Sequence, residues 1–221
     1  MSRTKNSERT HRITVTAMLC AVSFIAVLIG RLIPAVQGFL SYDPKDAIIV
    51  IAGFIYGPVT SVIISVIVSV IEMFFGSSTG VYGLIMNVVS TCSFAVPAAI
   101  IYKKAHNMKG AFIGLLVGMI SMTAMMVLWN YIITPFYMKM DRAIVAAMLP
   151  TVFLPFNLIK SGINTGLSLI LYKPLVTALR KANLIPKSEN SQGGFKASFM
   201  IVSVVILVCF IAAFILFSHA G

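Results

Sequence analysis

The chain has 221 residues, of which 59% are hydrophobic and only 10% are charged. A soluble domain normally carries about 25% charged residues, so this composition predicts a protein whose apolar surface faces lipid rather than water. The formal net charge of +11 does not indicate nucleic-acid binding. The basic residues cluster between apolar segments and form no stripe with interleaved aromatic side chains, a pattern typical of membrane topology.

The first apolar segment, residues 13–33, follows a basic stretch at residues 1–12. A basic stretch before an apolar run is also found in signal peptides, but this run is too long for a signal core and no A-x-A cleavage site follows it. We therefore predict a cytoplasmic N-terminal tail at 1–12 and a first membrane helix that is retained.

The second apolar run, residues 45–75, contains the helix-breaking pair Gly57-Pro58 in its middle. If the chain turns back at this pair, twelve of the 17 Lys and Arg residues fall on one side of the membrane. The positive-inside rule assigns that side to the cytoplasm and so favours two short segments over one long helix. The twelve residues are Arg3, Lys5, Arg9, Arg12, Lys103, Lys104, Lys109, Lys173, Arg180, Lys181, Lys187 and Lys196.

Further apolar runs, each near or above the roughly 20 residues that a crossing needs, lie at 81–102, 110–136, 148–172 and 197–218. The sequence thus predicts an all-α, multi-pass bundle in the cell membrane, with seven segments in contact with membrane lipid, a cytoplasmic N-terminus and an outside C-terminus. Residues 13–180 would form a six-segment core. The polar, Pro- and Gly-containing stretch 181–196 would be a cytoplasmic linker to an additional transmembrane helix at 197–218.

Polar side chains within the predicted segments indicate a candidate site, because each of them is costly in the membrane. Asn157, Lys160 and Asn164 share one face of the sixth segment, and a charged Lys at that depth must face a wet cavity, a carboxylate or a ligand. Asn87 and Asn130 also lie in the outer half. We predict that these residues converge on one outward-facing pocket. The alternative is that the amides join helices and that Lys160 extends to the membrane surface.

Two further features of the outer half have open interpretations. Glu72 lies near the outer end of its segment, where an interfacial position or pairing with a Lys or Arg is as well supported as a ligand role. The loop 34–46 contains two prolines, a glycine, two aromatic residues and Asp43. It is either an ordered lid over the pocket or a loop that lets the short second segment pack, and the two interpretations are compatible.

Missing motifs argue against catalysis and against a pump. The sequence has no phosphate-binding loop and no HExxH or GxSxG motif, so no enzyme activity is predicted. Its three Cys and three His do not have metal-ligand spacing, and we predict no metal site. In the first segment, Ala17 and Ala21 form a small-xxx-small pair, which serves either internal packing or close approach by a partner helix.

Several stretches resemble the substrate-binding S components of energy-coupling factor (ECF) vitamin transporters, and within them the riboflavin-specific type most closely. The resemblance covers most of residues 10–180, and an Asn and a Lys three apart on the final core helix are its most specific element. The stretches are YDPKDAIIVIAGFIYGPV (42–59), STGVYGLIMN (78–87), WNYIITPFYM (129–138), LPFNLIKSGIN (154–164) and LYKPL (171–175).

The resemblance implies a six-helix core that binds riboflavin from outside and docks on a transmembrane coupling subunit driven by two ATPase subunits. It implies no cofactor, since riboflavin would be the transported ligand. The ligand set it implies, together with the polar residues above, is Leu40, Asp43, Asn87, Asn130, Asn157, Lys160 and Asn164. Trp129, Phe153 and Phe156 would flank the ring, and Ala17 and Ala21 would form the docking surface. The helix at 197–218 departs from the family pattern.

Other functions remain open at this point. The pocket would also suit an S component for folate, pantothenate or thiamine. A different class of protein is a stand-alone facilitator or an accessory membrane protein that uses Ala17 and Ala21 for assembly.

Overall fold

The computed structural model of the protein describes residues 2–36, 38, 40–75, 79–182, 184 and 197–219, and the side chains of these except residues 2–8, 197–199 and 219. The described chain is helical and contains no strand beyond an isolated bridge between Val36 and Leu40, which confirms the all-α fold class. The helices are α1 (Ser2–Gly30), α2 (Lys45–Tyr56), α3 (Pro58–Phe74), α4 (Gly80–Ala105), α5 (Met108–Met138), α6 (Arg142–Met148), α7 (Leu154–Lys181) and α8 (Ala197–His219).

Five of the described helical stretches are long and apolar enough to cross a membrane, and the helix Pro58–Phe74 is apolar but shorter. The five are Arg9–Gly30, Gly80–Ala105, Met108–Met138, Arg142–Lys181 and Met200–Ser218. Helix α2 has only 12 residues. Multiple membrane spans are thus supported, and the total of seven stays a prediction.

The predicted break at Gly57-Pro58 is confirmed. Helix α2 ends at Tyr56, Gly57 adopts φ +94°, and α3 begins at Pro58, where the missing N–H of proline costs nothing. Lys45 Nζ, at the start of α2, lies 2.5 Å from Glu72 Oε2 near the end of α3. The two helices therefore form a hairpin. We call the end of the bundle that contains residues 31–44 the loop end, and the end that contains Gly57 the turn end.

Two predicted boundaries differ in detail from the structure, and a third lies largely outside the described residues. Helix α1 begins at Ser2, so the helix extends back through the predicted tail at 1–12, whose cytoplasmic placement stays a prediction. The sixth segment is longer than 148–172, because α6, a π-helical turn at Leu149–Phe153 and α7 form one helical stretch. Pro150 in that turn has no N–H, which interrupts regular α-helical hydrogen bonding. Most of the predicted linker, 183 and 185–196, lies outside the described residues.

The middle and the turn end of the bundle are closely packed. A Cβ atom at Gly118 of α5 would lie 2.4 Å from the Phe94 carbonyl oxygen of α4, and one at Gly114 would lie 2.7 Å from the Ala98 carbonyl oxygen. Helices α4 and α5 can approach this closely only because these positions lack side chains. Nearer the turn end, the phenol oxygens of Tyr102 and Tyr172 are 2.6 Å apart.

Candidate ligand-binding site

A cavity of about 250 Å³ lies at the loop end, between the residues that precede α2 and the facing sides of α3, α4, α5 and α7. Six of the seven predicted binding residues line it, although they come from four separate parts of the chain. They are Leu40, Asp43, Asn87, Asn130, Asn157 and Lys160.

Lys160 is buried and faces both a carboxylate and the cavity. Its Nζ lies 2.5 Å from Asp43 Oδ2, and Lys45 Nζ lies 3.8 Å from the other Asp43 oxygen. Burial by itself would raise the pKa of Asp43, but Lys160 and then Lys45 outweigh it and hold that pKa below its usual value. The carboxylate is therefore ionised, and it fixes the ammonium group of Lys160 at the cavity wall.

Lys45 and Glu72 form a second buried pair beside the first. Lys45 is 0% exposed, and its ammonium group donates to Glu72 Oε2, which also accepts from Asn87 Nδ2 at 3.1 Å. The pairing interpretation of Glu72 is thus confirmed, and Glu72 also lines the cavity. A lone carboxylate would be costly at this depth, and the two donors offset that cost.

Asn164 does not line the cavity. Its amide nitrogen donates to the Asp43 carbonyl oxygen at 3.1 Å and to Asp46 Oδ2 at 3.3 Å, while its oxygen accepts from Tyr42 Oη at 2.9 Å. Asp46 is further bound by Thr91. Asn164 thus joins α7 to the residues that cover the cavity.

The amides of Asn130 and Asn157 are each anchored to their own helix. Asn130 Nδ2 donates to Met126 O and Asn157 Nδ2 donates to Phe153 O, both at 2.7 Å. A side-chain amide has two N–H groups and a carbonyl with two lone pairs. Each side chain is therefore held in one orientation and still has hydrogen-bonding capacity for a ligand.

The described residues just before α2 lie over the cavity, and the lid interpretation of the loop 34–46 stays a prediction. Val36 and Leu40 exchange backbone hydrogen bonds at 2.9 and 3.0 Å, and the segment from Leu40 to Asp43 lines the cavity. Burial, together with the carboxylates of Asp46 and Asp43, raises the pKa of Tyr42 well above its usual range. The phenol therefore keeps its proton and donates a hydrogen bond to Asn164 Oδ1.

Formal charges around the cavity balance. Among the described residues that line the cavity there are two cations, Arg31 and Lys160, and two carboxylates, Asp43 and Glu72. A neutral set of this kind places no net attraction on an anionic ligand. The site is best suited to an uncharged molecule with several hydrogen-bonding groups.

Sequence reasoning missed some lining residues that helical spacing indicates. Ser90 lies three residues after Asn87 on α4, and Tyr137 lies seven residues after Asn130 on α5, so each shares a face with a predicted residue. Both line the cavity. Of the three predicted aromatic neighbours only Phe156 lines it, and Tyr137 supplies a second aromatic ring in place of Trp129 and Phe153.

Ala17 and Ala21 lie apart from the cavity, on the exposed side of α1. The neighbouring apolar residues Met18, Val22 and Ile25 are exposed as well, at 45%, 41% and 55%. This exposure is compatible with a docking surface, and the choice between docking and internal packing stays a prediction.

Comparison with known proteins identifies the family. A family profile described as "ECF transporter, substrate-specific component" matches residues 11–176. The riboflavin transporter FmnP of Bacillus subtilis is 31% identical over 186 residues, covering 78% of this chain and 97% of the relative. The riboflavin transporter RibU of Staphylococcus aureus is 28% identical, covering 81% of this chain and 97% of the relative.

A solved structure, described as that of the S component of a bacterial ECF transporter, has a TM-score of 0.67 and 27% sequence identity to this chain. The alignment covers 78% of this chain and 99% of the solved chain. The match therefore extends over the fold and the cavity-lining helices together. This protein belongs to the substrate-specific components of ECF transporters, among those of the riboflavin type.

Proposed function

We propose that this protein binds riboflavin at the loop-end cavity from outside the cell and delivers it by docking on a coupling subunit that is driven by two ATPase subunits. The single observation that carries the proposal is the cavity itself, which is lined by amides and one Lys, balanced in charge and covered by the segment Leu40 to Asp43. Family membership and the similarity to two riboflavin transporters support it.

Riboflavin chemistry fits these side chains. Its isoalloxazine ring has apolar faces and an edge of carbonyl groups and ring nitrogens, so Phe156 and Tyr137 can cover the faces while Asn130 and Asn157 hydrogen-bond the edge. Lys160 can only donate, which suits a ring carbonyl. The hydroxyls of the ribityl chain need further polar partners. Asn87 is one candidate and Ser90 is another, since its buried hydroxyl has no hydrogen-bond partner among the described residues.

A fluorescence titration of the purified protein tests the ligand. We expect riboflavin to be quenched with one molecule bound per chain, and we expect the phosphorylated flavin to bind more weakly because the site is neutral. Asn157→Ala should weaken binding roughly ten- to hundredfold, which corresponds to about 1–3 kcal/mol for unpaired ligand groups. Leu158→Ala is the matched control, because Leu158 is the adjacent residue and is 40% exposed.

The outcome that contradicts the ligand assignment is absence of quenching together with calorimetric binding of pantothenate, folate or thiamine. That result would reassign the vitamin and leave the family unchanged.

The docking surface is tested separately from the ligand. Ala17→Leu adds bulk to an exposed, small-residue face, so it should block close approach of a partner helix and abolish riboflavin uptake by cells while leaving binding intact. Val22→Leu enlarges a residue on the same helix that is already large, and it should be tolerated. Equal loss of binding and uptake for Ala17→Leu would show that the alanines support the fold instead.

The orientation follows from the charge distribution. We propose that the turn end faces the cytoplasm, since Lys103, Lys104 and Lys109 lie there. Single cysteines placed at Lys104 or Lys187, in a background without the native cysteines, should be labelled only from the cytoplasm, and one at Lys139 only from outside. Labelling of position 104 from outside would refute the orientation.

A further inference from the structure

Helix α8 lies beyond the residues 11–176 that the family profile matches, and it packs along α7. A Cβ atom at Gly166 of α7 would lie 2.9 Å from Leu207 Cβ and 3.0 Å from Leu207 Cα, and one at Gly162 would lie 2.4 Å from the ring of Phe210. Numbers rise along α7 as they fall along α8, so the helices are antiparallel. Gly162 and Gly166 form a small-xxx-small pair that lets α8 seat directly on the backbone of α7.

This seating brings the last two turns of α8 to the loop end. There, Phe210, Ala213, Phe214 and Phe217 pack against a buried cluster of Tyr42, Ile159 and Ile163. The rings of Tyr42 and Phe214 have centroids 6.2 Å apart and are tilted by 58°, within the range of a favourable aromatic pair. Tyr42 belongs to the segment that covers the cavity.

Tyr42 is therefore held from two sides. Its phenol donates to Asn164 of α7 at 2.9 Å, and its ring rests on Phe214 of α8. Asn164 in turn holds the carbonyl of the next residue, Asp43, whose carboxylate bonds Lys160. Any outward movement of the cover must break the contact with Phe214 along with the hydrogen bond to Asn164.

We propose that α8 is a built-in clamp that positions Tyr42 and slows release of the bound vitamin to the outside, with Phe214 as the positioning residue. The proposal rests on the proposed function, because it concerns the kinetics of riboflavin at the same cavity. Phe214 does not line the cavity, so its effect on the ligand passes through Tyr42. The clamp acts on dissociation, since the contact is lost when the cover opens.

Stopped-flow flavin fluorescence on the full-length protein tests the clamp. We expect Phe214→Ala to raise the dissociation rate about three- to tenfold, with the association rate changed less than twofold. Leu216→Ala is the matched control, because Leu216 lies on the same turn of α8 but is 73% exposed. Gly166→Leu should act like Phe214→Ala, because it displaces α8 from α7 at the Leu207 backbone.

A second background separates the clamp from general loosening of the bundle. In a Tyr42→Ala protein the dissociation rate should already be raised, and adding Phe214→Ala should raise it by less than twofold. If Phe214→Ala does not fold, Phe214→Leu, which keeps the volume but not the ring, takes its place with the same expected direction.

The results divide cleanly. Dissociation from Phe214→Ala at the rate of the unaltered protein or of Leu216→Ala overturns the clamp, and so does an undiminished Phe214 effect in the Tyr42→Ala background. In both cases riboflavin still binds, so the proposed function stands. Absence of riboflavin binding by the unaltered protein overturns the proposed function, and the clamp with it.

Discussion

The two ends of the bundle are packed differently, although the same helices form both. At the loop end, α3, α4, α5 and α7 separate around a cavity and bury ion pairs such as Lys160 with Asp43. Toward the turn end, the same helices are in close contact, with Gly114 against Ala98 and with Tyr102 against Tyr172. The bundle gives up apolar packing around the loop-end cavity and keeps it toward the turn end.

This difference shows how a nearly featureless apolar chain can carry a specific site. Burying charges costs free energy unless each has a partner, and at the loop end four of them, Asp43, Lys45, Glu72 and Lys160, are paired within a single network. The network crosses from the loop before α2 to α3 and α7. The cavity wall and the segment that covers the cavity are therefore held by the same contacts. Packing toward the turn end depends instead on close approach of the helices.

The largest expected effect comes from breaking the network at Lys160. Lys160→Met leaves the buried Asp43 carboxylate without the cation that bonds it at 2.5 Å, so we expect the free energy of unfolding to fall by about 3–5 kcal/mol. Riboflavin affinity should fall about a hundredfold, since a donor at the cavity wall is lost as well. Thermal unfolding in detergent and flavin titration measure the two effects.

A charge-neutral double variant sharpens the interpretation. Asp43→Asn combined with Lys160→Met removes both charges, so most of the lost stability should return while the affinity stays low. If the double variant is no more stable than Lys160→Met alone, the ion pair is not what holds this end of the bundle together.

Much of the fold could be predicted from the sequence because segments that cross lipid must be apolar. Apolar runs and the distribution of Lys and Arg predict membrane segments directly, and Gly57-Pro58 is a local signal that needs no tertiary information. The start of α1 at Ser2 was not predicted, because polar residues 2–12 continue the helix although they lie outside the apolar run.

The site could be predicted from the sequence only in part. Asn157 and Lys160 stand out as polar residues in an apolar helix, and their spacing places them on one face. The partners of Lys45 and Asn164 did not stand out, because each bond joins elements far apart in the chain, such as Tyr42 and Asn164 across 122 positions. Long-range pairing of this kind leaves no periodic signal in a single sequence.

A smaller effect, of the opposite kind, is expected at the close-packed helices. Gly118→Val places a branched side chain against the Phe94 carbonyl, where even a Cβ atom would be 2.4 Å from the oxygen. We expect a loss of about 1–3 kcal/mol of stability from overpacking, with riboflavin affinity unchanged in the fraction that stays folded.

The control for Gly118→Val is Val117→Ala on the adjacent, 40% exposed position of the same helix, which should leave thermal unfolding nearly unchanged. A large drop in affinity for Gly118→Val would show that packing between α4 and α5 also shapes the cavity. The two ends would then not be separable.

The smallest effect comes from deleting one hydroxyl at each end. Tyr172→Phe removes the bond to Tyr102 near the turn end, and Tyr42→Phe removes the bond to Asn164 at the loop end. Each deletion should cost about 0.5–1.5 kcal/mol of stability, the net value of one hydrogen bond.

Only Tyr42→Phe should weaken riboflavin binding, by about three- to tenfold, because its hydroxyl holds the cover of the cavity. Thermal unfolding and flavin titration of the two variants measure these effects. The same Tyr→Phe change is made at both ends, so the two results can be compared directly. Equal affinity for the two variants would mean that the cover is held in place without the Tyr42 hydroxyl.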